Sequence, residues 1–478
     1  MNVDKLKTIA LIALFTISIF LIQQLLVDIQ YSSILPFADE EVDNDRSNYI
    51  LSDIISPRRY VVTYSKNNHT VVYYDNVLWN KSKDLLENVF NNDEKIEISE
   101  IDNETYKEYK YRKSLSLQFP QSIPTYALAK MLDIHAPGPV QDKITLVNEI
   151  YISLGTEPFV VFNNGSKIFK IDNIDWDIGD LVDRVDGFRE QDKYNRYYYG
   201  KILLGTGENV FAPINMENVF HDIYLKDQLQ LSELDELDNM ASRFFDVDID
   251  YVRRVEENNG SIIYMYGSKN LVFSEAGILK YFNIVDQPIG RGDFYNSLST
   301  AVEFITEKDG WPANAYFMGS QAIEYKGAKG FRFMFSYKID DYPLISNKNL
   351  SATNSGSFDA PIEIEVFNNQ ITSYKRYIRN IEKYSDFRDN EILSPEEVIS
   401  KNISFIKSQY TSNRDITGED IDISNILSSI KKIVLGYYDP ADEKSDQRLH
   451  GVWMINIDNI DYVFDVRDGD ILNYMSAK

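Results

Sequence analysis

The clearest hydrophobic pattern in the chain is an uncharged run close to its N-terminus. Residues 8–27 read TIALIALFTISIFLIQQLLV, about the ~20 residues that a helix needs to cross the hydrocarbon core of a bilayer. Lys5 and Lys7 precede the run, whereas residues 28–45 contain no Lys or Arg. The positive-inside rule therefore predicts a cytoplasmic stub over residues 1–7, a single-pass transmembrane helix in the cell membrane and a large extracytoplasmic part. A retained anchor is favoured over a cleaved signal peptide because no A-x-A-like cleavage site follows the run.

Three small or polar residues can share one face of this predicted helix, namely Ala13, Thr16 and Gln23. Membrane helices use such stripes to contact partner helices. On the residues alone, a simpler interpretation is favoured: Gln23 lies near the outer interface, where polarity is tolerated, and no small-xxx-small pair is present. The stripe is thus a candidate contact face with a structural alternative.

Beyond this run, the alternation of apolar and polar residues repeats three times. Each repeat consists of a helix, two long amphipathic strands and a hairpin that ends in Ile-x-x-Tyr. The helices are predicted at residues 232–245, 294–306 and 396–406, and the hairpins end at Tyr281, Tyr374 and Tyr474. Gly and Asn in the hairpin turns accept positive φ. Because no βαβ rhythm is present, we predict that each repeat is one helix packed on a small antiparallel sheet.

The segment before the repeats has a different pattern, with strands at residues 59–64 and 70–74, a helix over residues 77–90 and an acidic surface connection over residues 91–107. Three later strands are predicted at residues 146–154, 159–162 and 168–171. The fold class is therefore α+β. Its predicted parts are the stub (1–7), the transmembrane helix (8–27), an N-terminal extracytoplasmic α+β domain (30–225) and three helix-plus-sheet modules (226–290, 291–390 and 391–478).

Composition excludes several classes of function. The chain has 478 residues with 49 basic and 74 acidic side chains, a formal net charge of −25, which is the wrong sign for a protein that binds a nucleic-acid backbone. It contains no cysteine, so disulfides, thiolate nucleophiles, cysteine zinc sites and a lipid-modified cysteine are excluded.

No local motif predicts catalysis or a cofactor. The four histidines are far apart and lack the spacing of a zinc protease, and a G-x-S-x-G elbow is absent. Residues 246–250 alternate Asp with apolar residues, and Glu257 stands where the twelfth position of a calcium loop would be. Tyr251 occupies the position that needs Gly, so the favoured interpretation is a strand with one acidic face.

The layout of the chain resembles the YycH family. The resemblance is carried by the single N-terminal membrane helix, the separate α+β domain and the tandem modules with FNNQITSYKRY, SPEEVISKN, IVLGYYDP and VWMINIDNIDYVFDVRDGDIL. From about Phe294 onward the chain is also similar to YycI, the shorter relative of that family. The resemblance covers essentially the whole chain and rests on the order of elements.

The resemblance implies a non-enzymatic regulator of the WalK sensor histidine kinase, part of an essential two-component system of the cell wall. The membrane helix would contact the kinase, with Thr16 and Gln23 as candidate polar contacts, and the outer domains would bind a YycI-like partner. No cofactor or metal is implied. Two alternatives stay open at this point: a membrane-anchored cell-wall enzyme, and a PepSY-like module that binds a ligand or inhibits an enzyme.

Overall fold

The computed structural model describes most of the chain after residue 50. The described residues are 51–91, 96–136, 138–174, 176–190, 195–207, 210–213, 216, 220–227, 231–275, 277–285, 292–308, 310–312, 314–347, 359–384, 392–414, 422–440 and 446–476. Within these ranges, no helix is both long and apolar enough to cross a membrane. The predicted stub and transmembrane helix lie outside the described residues.

The first part of the described chain is an antiparallel sheet with α1 packed on one face and α2 on the opposite face. Its nine strands stand in the order β3-β7-β6-β5-β4-β1-β2-β8-β9. The strands are β1 (Arg59–Ser65), β2 (Asn68–Tyr73), β3 (Glu97–Ile101), β4 (Ser114–Pro124), β5 (Leu146–Ser153), β6 (Val160–Asn163), β7 (Ile168–Asp172), β8 (Tyr197–Tyr199) and β9 (Phe211–Pro213). The helices are α1 (Asn76–Asn91), α2 (Asn103–Tyr109), α3 (Thr125–Met131), α4 (Pro139–Lys143), α5 (Gly179–Gly187) and α6 (Gly200–Leu203), with a 3₁₀ turn at Phe188–Glu190.

Helix α1 shows why the side of the sheet that it covers is buried. Its apolar residues recur at helical spacing, so that Leu78, Leu85 and Val89 all enter the core. Trp79 is 1% exposed, and its indole Nε1 donates to the carbonyl oxygen of Ser52 at 2.7 Å. The indole thus fills volume without leaving a buried donor unpaired.

The prediction of a surface connection at residues 91–107 is wrong. Strand β3 pairs with β7 there, and Ile98 packs partly buried against the core. Asp102 then caps α2, because its carboxylate accepts from the backbone N–H of Thr105 at 2.7 Å. The acidic residues at this position therefore act as an exposed strand edge and a helix cap, two local roles that an acidic composition does not distinguish from a loop.

The rest of the described chain contains three modules with the predicted order of elements, each with one helix, or two in the third module, before a four-stranded meander. The first has α7 (Leu234–Ser242), β11 (Arg253–Glu256), β12 (Ile262–Tyr266), β13 (Lys269–Phe273) and β14 (Ile278–Asn283). The second has α8 (Phe294–Lys308), β15 (Ala315–Tyr325), β16 (Ala328–Ile339), β18 (Ile362–Phe367) and β19 (Gln370–Tyr377). The third has α9 (Pro395–Asn413), α10 (Ile423–Ser428), β21 (Ile430–Asp439), β22 (Asp446–Ile457), β23 (Ile460–Asp465) and β24 (Ile471–Ser476). Three further strands join the modules: β10 (Asp222–Asp227), β17 (Tyr342–Ser346) and β20 (Arg379–Tyr384).

Local signals in the repeats are confirmed. The last hairpin of each module turns at a residue in the left-handed region: Gly277 at φ +71°, Asn368 at φ +59° and Gly469 at φ +73°. Ser394 caps α9 and forms a capping box with Glu397. These features follow from residues within a few positions of each other, which is why the pattern of the sequence predicts them.

The modules are joined strand to strand. Strand β14 of the first module pairs with β19 of the second, with Tyr281 opposite Tyr374, so the two modules share one continuous sheet. Strand β17 pairs parallel to β21 of the third module, with Leu344 opposite Tyr437. This pair departs from the predicted antiparallel default, because the two strands are brought together by a connection of more than eighty residues rather than by a hairpin.

The strand predicted at residues 246–250 is also wrong. Asp248 instead caps a 3₁₀ turn at Ile249–Tyr251, with its carboxylate accepting from the N–H of Asp250. Asp246 forms an ion pair with Lys269. Aspartate side chains bond readily to nearby backbone N–H groups, and this local bonding competes with a strand ladder.

Candidate interaction surface

Each module presents one side of its sheet to its own helix and the other side away from it; we call the second side the outer face. The tyrosine of the Ile-x-x-Tyr hairpin fixes the register. Tyr281 pairs with Leu271, Tyr374 with Ile364 and Tyr474 with Tyr462, all on the helix side of their sheets. Because side chains alternate along a strand, the next residue on β13, β18 or β23 belongs to the outer face.

In each module, this residue and the residues paired with it on the two preceding strands form a row across the sheet. The three rows are equivalent in position. The row is Val255–Ile263–Val272 in the first module, Gln321–Arg332–Glu365 in the second and Val434–Met454–Val463 in the third. The first and third rows are wholly apolar, and the second is wholly polar. The three rows occupy the same place in the repeat, so their environments can be compared directly.

The row of the third module is covered by the N-terminal sheet. Val434 and Val463 are 1% and 0% exposed, and they share a hydrophobic cluster with Val61 and Tyr73 from strands β1 and β2. We call this contact the sheet–sheet seam. Both faces of the third module are therefore buried, which explains the long run of buried residues in β21.

The row of the second module is hydrated and internally paired. The Arg332 guanidinium donates from Nε and Nη2 to Oε1 of Glu365 at 2.9 and 2.7 Å. Both side chains are partly exposed. Gln321 at the end of the row is exposed, so this module has an ordinary polar outer face.

The row of the first module is apolar and only half-buried. Val255, Ile263 and Val272 are intermediate in exposure, and they belong to none of the hydrophobic cores formed by the described residues. The next row is Arg253–Met265–Asn270–Phe282, in which two apolar residues, Met265 and the 37% exposed Phe282, alternate with two polar ones. We call the five apolar residues of the two rows the first-module outer face.

Two lysines border this face. Lys280 follows Val272 in the same row, and it pairs across the strands with Lys375. Burial, together with the neighbouring Lys375 ammonium, lowers the pKa of Lys280. The Lys375 ammonium lies 3.7 Å from the Glu363 carboxylate. A border that combines two cations stands out on a protein with a net charge of −25.

The four histidines all lie in the described part of the chain. His69 is 0% exposed; its Nδ1 lies 3.0 Å from the Thr63 hydroxyl, and burial lowers its pKa to about 4. His221 and His450 lie 2.8 and 2.7 Å from the carboxylates of Asp340 and Asp465, and the exposed His135 lies 3.0 Å from that of Asp133. Each histidine thus has a local partner.

A buried ion pair, Lys110–Glu149, lies on the face of the N-terminal sheet opposite α1. The Lys110 ammonium lies 3.3 Å from both carboxylate oxygens of Glu149, and each side chain is 9% exposed. Burial alone would raise the pKa of Glu149, but Lys110 and the Gln118 amide outweigh it, so that the pKa is lowered. The cavity beside this pair holds about 10 Å³, room for about one water molecule.

A second small cleft lies between the end of α6 and the start of α9. It measures about 80 Å³ and is lined by Leu203, Leu204, Ala212, Pro213, Ser394, Pro395 and Glu396. No group of three His, Asp or Glu side chains among the described residues is arranged to hold a metal ion.

The predicted contact residues of the membrane helix, Ala13, Thr16 and Gln23, lie outside the described residues. Sequence reasoning did not identify the first-module outer face. A signal was present, because SIIYMY and NLVF place apolar residues on both faces of their strands. Recognising it requires the register of three modules, which depends on long-range strand pairing.

The fold is similar to solved structures. The crystal structure of YycH from Bacillus subtilis matches with a TM-score of 0.53 and 14% identity, covering 88% of this chain and 96% of that one. An uncharacterized protein from Eubacterium rectale matches with a TM-score of 0.35 and 13% identity, over 55% of this chain and 90% of that one. The C-terminal domain of Bacillus megaterium YpeB matches with a TM-score of 0.26 and 9% identity, over 51% of this chain and 97% of that one.

No protein-family model matches the chain, and no curated protein matches it. The relationship is therefore one of architecture, at an identity where sequence comparison gives no match. The YycH-like fold predicted from the order of elements is confirmed.

Proposed function

We propose that this protein is a membrane-anchored, non-enzymatic regulator of a WalK-type sensor histidine kinase. The observation that carries the proposal is the match to the YycH fold over 88% of the chain, combined with the uncharged run at residues 8–27. The helix over that run contacts the membrane helices of the kinase, and the outer domains bind a YycI-like partner.

The described part of the chain is consistent with an interaction role. The cleft between α6 and α9 measures about 80 Å³, and the buried Lys110 and Glu149 form an ion pair with each other. A binding or catalytic site for a small molecule commonly takes a cavity of about 300–1,000 Å³. Large sheet faces are the more extensive feature of this fold.

The mechanism follows from linked equilibria. A bound helix shifts the kinase toward whichever conformation it binds more tightly, and equal affinity for both conformations would shift nothing. Partner binding by the outer domains regulates the kinase only insofar as it changes how the membrane helix meets the kinase.

The test is recovery of the kinase with the full chain from native membranes. Replacing Thr16 and Gln23 by Leu removes two polar interhelical contacts worth up to ~1 kcal/mol each, so we expect recovery to fall about tenfold. Ser18→Leu is the matched control, because position 18 lies about 200° from position 16 around the helix. Equal recovery with the double variant and the control would remove the polar contacts from the mechanism. Absence of the kinase with the unaltered chain would overturn the proposed function.

A further inference from the structure

We propose that the first-module outer face, Val255, Ile263, Met265, Val272 and Phe282, is the docking surface for the outer domain of the partner protein. The partner contributes the apolar face of an antiparallel sheet bordered by carboxylates. This inference rests on the proposed function, in that the partner is the YycI-like protein, and it assigns the surface that holds that protein.

The third module supplies the precedent within the same chain. Its equivalent row, Val434, Met454 and Val463, is buried by Val61 and Tyr73 of a second antiparallel sheet. Two sheets pack face to face at about 10 Å when both carry apolar side chains on the facing sides. The outer face of a module with three apolar residues in this row is therefore a surface that accepts a sheet.

The second module supplies the contrast. Where the row faces solvent it consists of Gln321, Arg332 and Glu365, and its ion pair needs no cover. The first module keeps an apolar row at the same position with none of the described cores over it. The row of the first module is thus apolar, like the covered row of the third module, and not polar like the exposed row of the second.

The charges at the border select the kind of occupant. Lys280 and Lys375 lie side by side at the edge of the apolar row, Glu363 pairs with Lys375, and Arg253 lies in the adjacent row. These four side chains carry three positive charges and one negative charge, which carboxylates on the partner would complement. A second copy of this chain is disfavoured, because each copy carries a formal charge of −25 and two copies repel. A distinct protein with an acid-bordered apolar sheet fits both the shape and the charge.

The experiment measures how much of the YycI-like partner and of the kinase co-purifies with the full chain from native membranes. The variant is Val255→Asp, which puts a carboxylate into the proposed interface. The matched control is Gln321→Asp, the equivalent position of the second module. We expect Val255→Asp to lower recovery of the partner about tenfold while kinase recovery is unchanged, and Gln321→Asp to change neither.

A second variant tests the charge of the partner. Lys280→Glu reverses one of the two border charges, so we expect a several-fold loss of the partner. Replacing acidic residues on the partner's sheet by Lys should restore recovery of the partner with the Lys280→Glu variant. The same replacements should reduce recovery of the partner with the unaltered chain. Failure of all such changes to rescue would overturn the assignment of acidic residues to the partner.

A photoreactive residue in place of Ile263 identifies the occupant. Cross-linking to an apolar, acid-bordered strand of the YycI-like protein supports the inference, and cross-linking to a second copy of this chain overturns it. Unchanged partner recovery with Val255→Asp overturns the surface while the proposed function stands. Loss of both partner and kinase from the unaltered chain removes the proposed function, and the docking proposal with it.

Discussion

The equivalent outer rows of the first and third modules both consist of three apolar residues, but their surroundings differ. Val434 is 1% exposed in the sheet–sheet seam, whereas its equivalent Val255 is half-buried on the first-module outer face. Fully burying a valine contributes roughly 1.5–3 kcal/mol. In the third module, burial of Val434 stabilises the contact between the two sheets. In the first module, further burial of Val255 would stabilise the contact with a bound partner.

The comparison shows that an apolar strand face can belong either to the interior of the fold or to its surface. In the third module the face belongs to the interior, because the N-terminal sheet covers it. In the second module, Arg332 and Glu365 occupy this place. The residue class in the row therefore distinguishes a face that needs a cover from one that is complete in water.

The largest effect is expected from Val434→Asp, which breaks the covered half of the comparison. The carboxylate would be buried without a partner or forced to take up a proton, either of which costs several kcal/mol. We expect the free energy of unfolding to fall by about 4 kcal/mol, measured by urea denaturation of the full chain in detergent. A change below about 1 kcal/mol would mean that water enters the seam.

The next effect is a pH dependence of the same seam. His69 lies on the outer face of β2 with Val71 and Tyr73, and its pKa in the folded protein is lowered from 6.5 to about 4. The unfolded chain therefore binds the proton first, so stability is complete above pH 6.5 and declines as the pH falls toward 4. The loss is at most about 3 kcal/mol.

The measurement for His69 is the midpoint of urea unfolding at a series of pH values. The His69→Asn variant should be less stable at pH 7, because the histidine packs edge-on against Tyr199 and Phe211. Its stability should nevertheless fall less steeply than that of the unaltered chain between pH 6.5 and 4. Parallel curves for the two proteins would exclude His69 as the titrating group.

The smallest effect on stability is expected from Val255→Asp, the counterpart of Val434→Asp. Position 255 lies on the edge strand β11 and keeps contact with water, so we expect a loss of only about 0.5 kcal/mol. Thermal unfolding of the two variants side by side gives the comparison directly. Equal destabilisation would show that the first-module face is already covered within the chain.

The sequence predicted the elements of this fold better than their arrangement. The left-handed turn at Gly277 is a local signal, and the glycine in the hairpin predicts it correctly. The Ser394–Glu397 capping box is a local feature of the same kind. The acidic residues near Asp102 and Asp248 were misassigned because a carboxylate can cap a helix, bond to a nearby N–H or face solvent with the same local composition.

Long-range contacts account for the rest. The parallel pairing of Leu344 with Tyr437 joins residues more than ninety positions apart, which periodicity does not encode. The candidate surface required the same kind of information, since Val255, Ile263 and Val272 come together only in the paired sheet. The contact residues Thr16 and Gln23 were predicted from the uncharged run, and they stay predictions.

The fusion of the first two modules determines how rigidly a docked partner would be held. Helices α7 and α8 meet over the shared sheet, with the Phe244 and Phe304 rings 6.1 Å apart and both against Tyr374. The core that contains these rings also contains Leu51, close to where the described chain begins. A partner seated on the first module would therefore have a fixed orientation with respect to Leu51. Its binding would set an angle, so that geometry as well as occupancy would be transmitted through this core.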